Sequence, residues 1–340
     1  MAELPKLSVR LSGAIDPRRC IEIAKMADAN RYHSVWFAEN AFGRGVLPAA
    51  SAASAATQSI GVGIGVLNPY NRHPTLIAME IGALDELAQG RVRLGIGSGI
   101  AASTERMGLR TDRPLAAVRD AITIVRALLK GEEVDYAGSV FSARKVKLDY
   151  PPRRPDMALL MAARGEQALA LCGKIADGLI ISNMCPAEFT QAAVLAVRDA
   201  ARQAQRPIPA QVVQYIPCAV RLDRAEAYAL AKKAIGEMLP SFWALAQRVP
   251  AAKAAMLRAK ALSESDFADA AARLRAGEGA TDVLDDRFVE AFAIAGTAEE
   301  ALAQARRYGE AGATELVLTF AGRRPEPDMQ YLANAARGSG

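Results

Sequence analysis

The stretch G-I-G-V-L-N-P-Y-N-R-H-P, from Gly63 to Pro74, decides how this chain of 340 residues is interpreted. From residue 60 to residue 66 glycine alternates with isoleucine and valine, a pattern typical of a strand that is buried on both faces. A three-residue polar turn follows, and Pro74 stands where a helix can begin, because the first turn of a helix does not use its missing N–H. The stretch therefore predicts a strand, a loop and a helix, with a candidate site at the carboxyl end of the strand. The alternative is a loop whose glycines and prolines serve geometry alone.

The same alternation of strand and helix continues on both sides of this stretch. Eight strands are expected, at residues 7–11, 34–38, 60–66, 92–96, 158–162, 179–182, 212–220 and 315–320. Helices between successive parallel strands predict an α/β fold, and eight such units close a (β/α)8 TIM barrel. Two stretches interrupt the pattern. Residues 132–155 read as a hairpin after the fourth barrel helix, and residues 240–285 as extra helices after the seventh strand. We expect one domain over residues 1–340.

Composition and charge exclude several classes of function. Hydrophobic residues make up 51% of the chain and charged residues 23%, which is typical of a globular protein with a sizeable core. The net charge of +5 comes from scattered lysines and arginines without a basic block, so no nucleic-acid partner is expected. The four cysteines are far apart and form no metal-binding motif, which favours a reduced compartment and no metal site. With no signal peptide and no membrane-length apolar run, a cytoplasmic protein is expected.

The active site of such a barrel lies at the carboxyl ends of its strands. The residues expected there are mostly small and polar, which suits a large planar ligand that carries phosphate better than a metal ion. Glu39, at the end of the second strand, is the candidate acid; pairing with Arg44 or with the backbone is the alternative. Of the two histidines, His33 is expected to be structural, and His73 is expected to cap the turn before Pro74 rather than transfer protons.

Two short segments could bind the phosphate of a ligand. The sequence G-I-G-S-G at residues 95–99 lacks the lysine of a P-loop and the third glycine of a dinucleotide-binding motif, so it is a weak signal. Ala163, Arg164 and Gly165 precede a helix, and exposed amides beside an arginine can hold an anion. A solvated arginine in an ordinary loop is the alternative. The aromatic pair Phe242 and Trp243 either lines a substrate pocket or packs inside the extra helices.

At this point several segments together resemble a known family. They are V-W-F-A-E-N at residues 35–40, G-V-L-N-P-Y-N-R-H-P at 65–74, L-D-E-L-A-Q-G-R-V-R-L-G-I-G-S-G at 84–99, C-G-K-I-A-D-G-L-I-I-S-N at 172–183 and I-A-G-T-A-E-E-A-L-A-Q-A-R-R-Y-G-E-A-G-A-T-E-L-V-L at 294–318. The chain is similar to the luciferase-like monooxygenase superfamily, and within it to the coenzyme F420-dependent branch that contains methylenetetrahydromethanopterin reductase.

The resemblance implies a cofactor, a set of contacts and a reaction. It implies coenzyme F420, a non-prolyl cis peptide between Gly65 and Val66 that backs the deazaflavin ring, and hydride transfer to or from a small-molecule substrate, with Glu39 assisting protonation. The residues that it places around the cofactor are Gly65, Val66, Leu67, Asn68, Gly97, Ser98, Gly99, Ala163, Arg164, Gly165, Ser182 and Asn183. One departure concerns the substrate: Ile100 stands where the reductase pattern has an acidic residue, which weakens the expectation of a pterin.

Two other functions remain open from the sequence. One is an FMN-dependent monooxygenase of the same superfamily, and the other is a barrel that binds a flavin or deazaflavin without catalysis. The superfamily commonly pairs its barrels, so a homodimer is expected through the apolar helical faces at residues 47–56 and 76–87. No membrane partner is expected.

Overall fold

The computed structural model describes residues 3–322 and 324–338. In chain order the strands are β1 (Lys6–Ser12), β2 (Ser34–Ala38), β3 (Gly61–Leu67), β4 (Val92–Ile96), β5 (Val134–Ala137), β6 (Ser142–Val146), β7 (Leu159–Ala162), β8 (Gly178–Ile181), β9 (Gln211–Val220), β10 (Ile294–Gly296) and β11 (Glu315–Phe320). The helices are α1 (Pro17–Ala29), α2 (Val46–Ala56), α3 (Pro74–Leu87), α4 (Ala101–Glu105), α5 (Pro114–Leu129), α6 (Glu166–Ile175), α7 (Ala187–Gln203), α8 (Arg224–Arg248), α9 (Pro250–Met256), α10 (Glu264–Arg275), α11 (Ala280–Val283), α12 (Asp286–Phe292), α13 (Ala298–Glu310) and α14 (Glu326–Gly338).

Eight parallel strands close the expected (β/α)8 barrel. Their order is β9-β11-β1-β2-β3-β4-β7-β8, and pairing of β8 with β9 completes the ring. Helices cover the outside, because their apolar faces are buried by packing against the side chains that the barrel strands point outward. The α/β barrel predicted from the sequence is therefore confirmed, and all eight predicted barrel strands fall within two residues of their observed bounds.

The two insertions are present, with corrections to their detail. β5 and β6 form the expected antiparallel hairpin. The extra helices do not begin at residue 240, because α8 starts at Arg224 and continues through Pro240 to Arg248, with Leu239 and Trp243 on either side of the proline both buried. Burial of these side chains outweighs the hydrogen bond that proline removes from the helix.

The helical insertion has a core of its own. The ring of Trp243 stacks on Phe267 at 5.4 Å between centroids, and Phe267 also meets the edges of Phe288 and Phe292. A short strand that the sequence pattern missed, β10, follows this core and pairs with the last residues of β9. The C-terminal helix α14 and the one-turn helix α4 were also missed.

The inside of the barrel is filled by layers of side chains. Nearest the amino ends of the strands lies a polar layer, in which Glu315 accepts hydrogen bonds from Ser8 and Ser34 and pairs with Arg93. Trp36 occupies the layer above, and a Cβ atom on Gly63 would overlap its indole ring. The alternating glycines of β3 therefore make room for aromatic side chains from within the barrel.

Candidate active site

The predicted site residues converge on one side of the barrel mouth. Strands β2, β3, β4, β7 and β8 are neighbours in the sheet, and each predicted residue lies at or just after the carboxyl end of one of them. Parallel strands bring these ends to the same edge, so segments that are far apart in sequence become a continuous rim. Within residues 3–322 and 324–338, no group of three or more His, Cys, Asp or Glu side chains could hold a metal ion.

The end of β3 has the geometry that the resemblance implies. The peptide bond between Gly65 and Val66 is cis, and the register between β3 and β4 shifts from Ile64 to Leu67. The hydroxyl of Tyr215 donates a 3.1 Å hydrogen bond to the carbonyl oxygen of Gly65. A Cβ atom on Gly65 would overlap that hydroxyl, so only glycine fits here.

Small residues on the neighbouring strands continue this surface. A Cβ atom on Gly97 would lie 3.0 Å from a methyl group of Val66 and 3.1 Å from Cβ of Ala162, so the three residues are in close contact. The side chain of Leu67 is fully buried, whereas its carbonyl accepts a hydrogen bond from the amide of Gly97. Ser98 is half-buried beside them. Val66, Gly97 and Ala162 thus form a surface with few protruding side chains, which we call the rim shelf.

Asn68 organises the loop that follows the shelf. Its Oδ1 accepts from the amide of Tyr70 at 3.0 Å, and its Nδ2 donates to the hydroxyl of Thr104 at 3.1 Å. Gly99 has a φ of +65°, and a Cβ atom there would lie 2.7 Å from Nδ2 of Asn68. Oδ1 of Asn68 therefore stabilises the turn of its own loop, and Nδ2 joins that loop to the segment after β4.

The remaining predicted residues form a second cluster at the ends of β7 and β8. Nη2 of Arg164 donates to the carbonyl oxygen of Asn183 at 3.4 Å, and its guanidinium lies 5.5 Å from the ring centroid of Phe242. Gly165 caps α6 without a side-chain hydrogen bond, and the carbonyl of Ser182 accepts from Gln214. Oδ1 of Asn183 is buried without a hydrogen-bond partner. Together with Ala163, these residues place an arginine and an orphaned amide oxygen beside the shelf.

Glu39 is paired, but not with the residue that the alternative named. Its Oε1 lies 3.3 Å from Nη1 of Arg72, which comes from the loop after β3, and Nε of Arg72 also contacts Glu80. Arg44 instead donates to the carbonyl oxygens of Gly13 and Ala14. The other oxygen of Glu39, Oε2, is buried without a partner. One carboxylate oxygen of Glu39 therefore has no hydrogen-bond partner among the described residues.

The histidines and the aromatic pair have the following roles. Nδ1 of His73 accepts from the amide of Thr75 and caps α3, as expected. His33 lies before β2 at the opposite end of the barrel, and burial lowers its pKa. Trp243 packs in the insertion core, as one alternative expected, whereas Phe242 is half-buried at the edge of that core and contacts the guanidinium of Arg164.

Sequence reasoning missed three interior residues below the mouth. Arg10 of β1, Tyr215 of β9 and Thr319 of β11 face the barrel interior, and the guanidinium of Arg10 lies 5.3 Å from the ring centroid of Tyr215. A signal was available: polar residues alternate with Leu7, Val9 and Leu11 in a strand that both a helix layer and the barrel interior cover.

Comparisons with known proteins agree with this arrangement. The model of the luciferase-like monooxygenase family matches residues 4–315. A 5,10-methylenetetrahydromethanopterin reductase of Methanolobus tindarius is 29% identical over 86% of this chain and 87% of its own. The reductase of the same name from Archaeoglobus fulgidus is 27% identical over 86% of each chain. An F420-dependent glucose-6-phosphate dehydrogenase of Beutenbergia cavernae is 34% identical over about half of each chain, 48% and 49%.

Solved structures show the same fold. The coenzyme F420-dependent tetrahydromethanopterin reductase of Methanopyrus kandleri superposes with a TM-score of 0.85 at 20% identity, over 98% of both chains. An F420-dependent secondary alcohol dehydrogenase, solved in complex with an F420-acetone adduct, has a TM-score of 0.78 at 17% identity, again over 98% of both chains.

Proposed function

This chain belongs to the luciferase-like monooxygenase family, and from that premise we propose that it is an F420-dependent oxidoreductase that transfers a hydride between the deazaflavin and a small organic substrate. The observation that carries the proposal is the rim shelf of Val66, Gly97 and Ala162 beside the Gly65–Val66 cis bond. The choice of F420 is supported by the two reductases, which match 86% of the chain, and by the F420-dependent dehydrogenase, which matches 48% of it.

The residues at the mouth fit such a cofactor. A flat ring needs a surface with few protruding side chains, and the shelf supplies one. A phosphate-bearing tail needs cations and donors, and Arg164 lies beside the amides at the start of α6. The orphaned Oδ1 of Asn183 can accept a hydrogen bond from a ligand N–H or O–H. When bound, the deazaflavin supplies the hydride chemistry, and the protein supplies orientation and charge.

The chain's own residues then have distinct tasks. Tyr215 holds the carbonyl of Gly65, the carbonyl of Leu67 holds the amide of Gly97, and Asn68 joins its loop to Thr104, so this backbone can orient what binds there. Glu39 is our candidate for the group that moves a proton, since Arg72 fixes one of its oxygens and leaves Oε2 free. Ser98 and Ser182 border the shelf on either side.

We further propose a homodimer in the cytoplasm, with the whole chain as one domain. Leu76, Met79 and Leu87 leave an exposed apolar strip on α3, one of the two helices expected at the interface. The four cysteines are free and buried, which suits a reducing compartment. Among the described residues, no helix is long and apolar enough to cross a membrane.

Cofactor binding tests the main proposal directly. Purified protein is titrated with F420 and with FMN at equal concentrations, and fluorescence of each cofactor reports binding. We expect F420 to bind and Arg164→Gln to weaken it about tenfold, because a charge-assisted contact to phosphate is lost. Arg198→Gln, which removes an exposed arginine of α7, is the matched control.

The alternative outcomes are informative. Preference for FMN together with oxygen consumption would make the protein a monooxygenase, and binding of neither cofactor would contradict catalysis by either route. If F420 binds, substrate screening begins with methylenetetrahydromethanopterin, the compound in the names of the reductase relatives.

A further inference from the structure

Among the residues that the structure describes, Arg10 and Arg93 both point into the barrel, but only Arg93 has an ion-pair or hydrogen-bond partner. Arg93, in the polar layer near the amino ends of the strands, pairs with Glu315 and donates to Oε1 of Gln211 at 2.9 Å. Arg10, higher in the barrel, has no carboxylate within ion-pair distance among the residues that the structure describes. Its Nε is buried without a hydrogen-bond partner, while the side chain as a whole is half-buried.

The groups around Arg10 come from three strands, and none is acidic. Its guanidinium lies over the ring of Tyr215 on β9, whose hydroxyl is already donating to Gly65. On β2, Trp36 is its register partner, and the indole N–H is directed to Glu315 instead. On β11, one residue beyond the last paired position, Thr319 faces the same interior, and its Oγ1 is also buried without a partner.

This arrangement is costly unless something else completes it. The Nε atom of Arg10 is removed from water without gaining an acceptor, which is unfavourable for a charged donor, and a single cation–π contact offsets only a part of that cost. Burial lowers the pKa of Arg10, and the Tyr215 hydroxyl partly opposes this effect. The guanidinium nevertheless stays charged at neutral pH. The guanidinium of Arg10 and the hydroxyl of Thr319 are two hydrogen-bond donors on adjacent strands without acceptors, as expected of an anion-binding site.

We propose that Arg10 and Thr319 bind a carboxylate of the substrate inside the barrel mouth, beside the Gly65–Val66 edge. This inference rests on the proposed function and narrows its substrate to a compound that bears a carboxylate on the end that enters the barrel. The planar fork of the arginine matches two carboxylate oxygens, and the threonine hydroxyl can donate to one of them.

The charge and position of the site favour a singly charged group. One guanidinium neutralises one negative charge, and the other cation inside the barrel, Arg93, is already paired with Glu315. Through Tyr215, Arg10 is one side chain away from Gly65, so a carboxylate held there places the rest of the substrate near the cofactor ring that we propose lies on the rim shelf. Arg10 and Thr319 would thus select and position the substrate without reacting with it.

The test uses benzoate and acetate as probes and measures binding apart from turnover. Isothermal titration at constant ionic strength, with chloride as reference, is done on the F420-loaded and the cofactor-free protein. We expect both carboxylates to bind, Arg10→Gln to weaken them at least tenfold and Thr319→Val to weaken them less. The affinity for F420 should change less than twofold in both variants, and Arg198→Gln should match the wild type.

A second measurement separates a binding role from a structural one. Arg10→Met removes the uncompensated charge, so the ligand-free variant should melt about 2 to 4 °C higher than the wild type and should no longer be stabilised by benzoate. A structural arginine would give a lower melting temperature instead, and that result would overturn the proposal.

Two further outcomes would also overturn it. One is a wild type that does not distinguish benzoate from chloride. The other is an Arg10→Gln variant whose F420 affinity falls tenfold while its benzoate affinity is unchanged, since the arginine would then serve the cofactor. If the protein binds no F420 at all, the proposed function fails, and the titration of the cofactor-free protein still decides the carboxylate site.

Discussion

The indole N–H of Trp36 donates a 2.8 Å hydrogen bond to Oε1 of Glu315, across 279 residues of chain. The same oxygen accepts from the hydroxyls of Ser8 at 2.7 Å and Ser34 at 2.5 Å, and Arg93 pairs with the other oxygen. One buried carboxylate of the last strand thereby fastens β1, β2 and β4 at the closed end of the barrel. These four donors together compensate the negative charge of Glu315.

Glu315→Gln should therefore destabilise the protein by about 3 kcal/mol, the low end for a broken buried pair, because the partly buried guanidinium of Arg93 loses its carboxylate. Burial alone would raise the pKa of Glu315, but Arg93 and the serine hydroxyls outweigh it and hold that pKa below the ordinary value of 4.5. The unfolded chain thus binds the proton more readily, so this stabilisation is present above pH 4.5 and is lost as the pH falls through the folded pKa.

Urea unfolding at pH 7 and at successively lower pH measures this effect. The gap between wild type and Glu315→Gln should shrink as the pH falls below 4.5. The exposed residue Glu290 supplies the control Glu290→Gln, which should unfold like the wild type at every pH. A gap that stays constant with pH would contradict the assigned charge state.

Gly63→Ala should destabilise the barrel by about 1 to 3 kcal/mol or more, because the added Cβ atom would overlap the indole of Trp36 and the ring is fully buried. Thermal unfolding measures the loss. Gly338→Ala is the control, since a Cβ atom there meets open space near the end of α14. Equal melting temperatures for the two variants would show that the interior can yield at Trp36.

Glu39→Gln should lower kcat about 100-fold or more with F420 affinity nearly unchanged, since the variant keeps the shape of the side chain and loses the exchangeable proton. Steady-state kinetics and F420 titration measure the two quantities separately. Glu80→Gln removes the other carboxylate on Arg72 and is the matched control. If kcat falls equally in both variants, the two carboxylates act by positioning Arg72, and Glu39 is not the group that transfers the proton.

Leu76→Glu should convert the proposed dimer to a monomer, because it places a charge in the exposed apolar strip of α3. Light scattering after size-exclusion chromatography gives the mass. Leu195 of α7 is equally exposed but lies outside the two helices expected at the interface, so Leu195→Glu should leave the mass unchanged. A wild type that elutes as a monomer would remove the dimer altogether.

The barrel could be predicted from the sequence because its strands are short apolar runs between clear helix starts and stops. Pro17, Pro74 and Pro114 each open a helix, and Gly90 and Gly131 follow the ends of the second and third of these helices. β10 could not be found in this way, since three residues carry no periodicity. The extension of α8 past Pro240 depends on burial in the insertion core, which local propensity does not contain.

The rim of the candidate site was predictable for the same reason, since strand ends in a barrel meet at one edge. The partners of its side chains were not. Glu39 pairs with Arg72 rather than Arg44 because the loop after β2 lies in contact with the loop after β3 at the barrel mouth. The unpaired state of Arg10 depends on which groups three other strands place around it, and no local sequence pattern indicates them.

The helical insertion joins the barrel through β9, whose last residues pair with β10 while its first residues pair with β11. Its aromatic core closes on itself around Phe267, yet Phe242 on the same insertion reaches Arg164 at the mouth. The insertion therefore supplies a side chain to the barrel mouth while its own core is separate from the core of the ring of eight strands. Substitutions within that core can change the surroundings of Arg164 while the strand pairing of the barrel is kept.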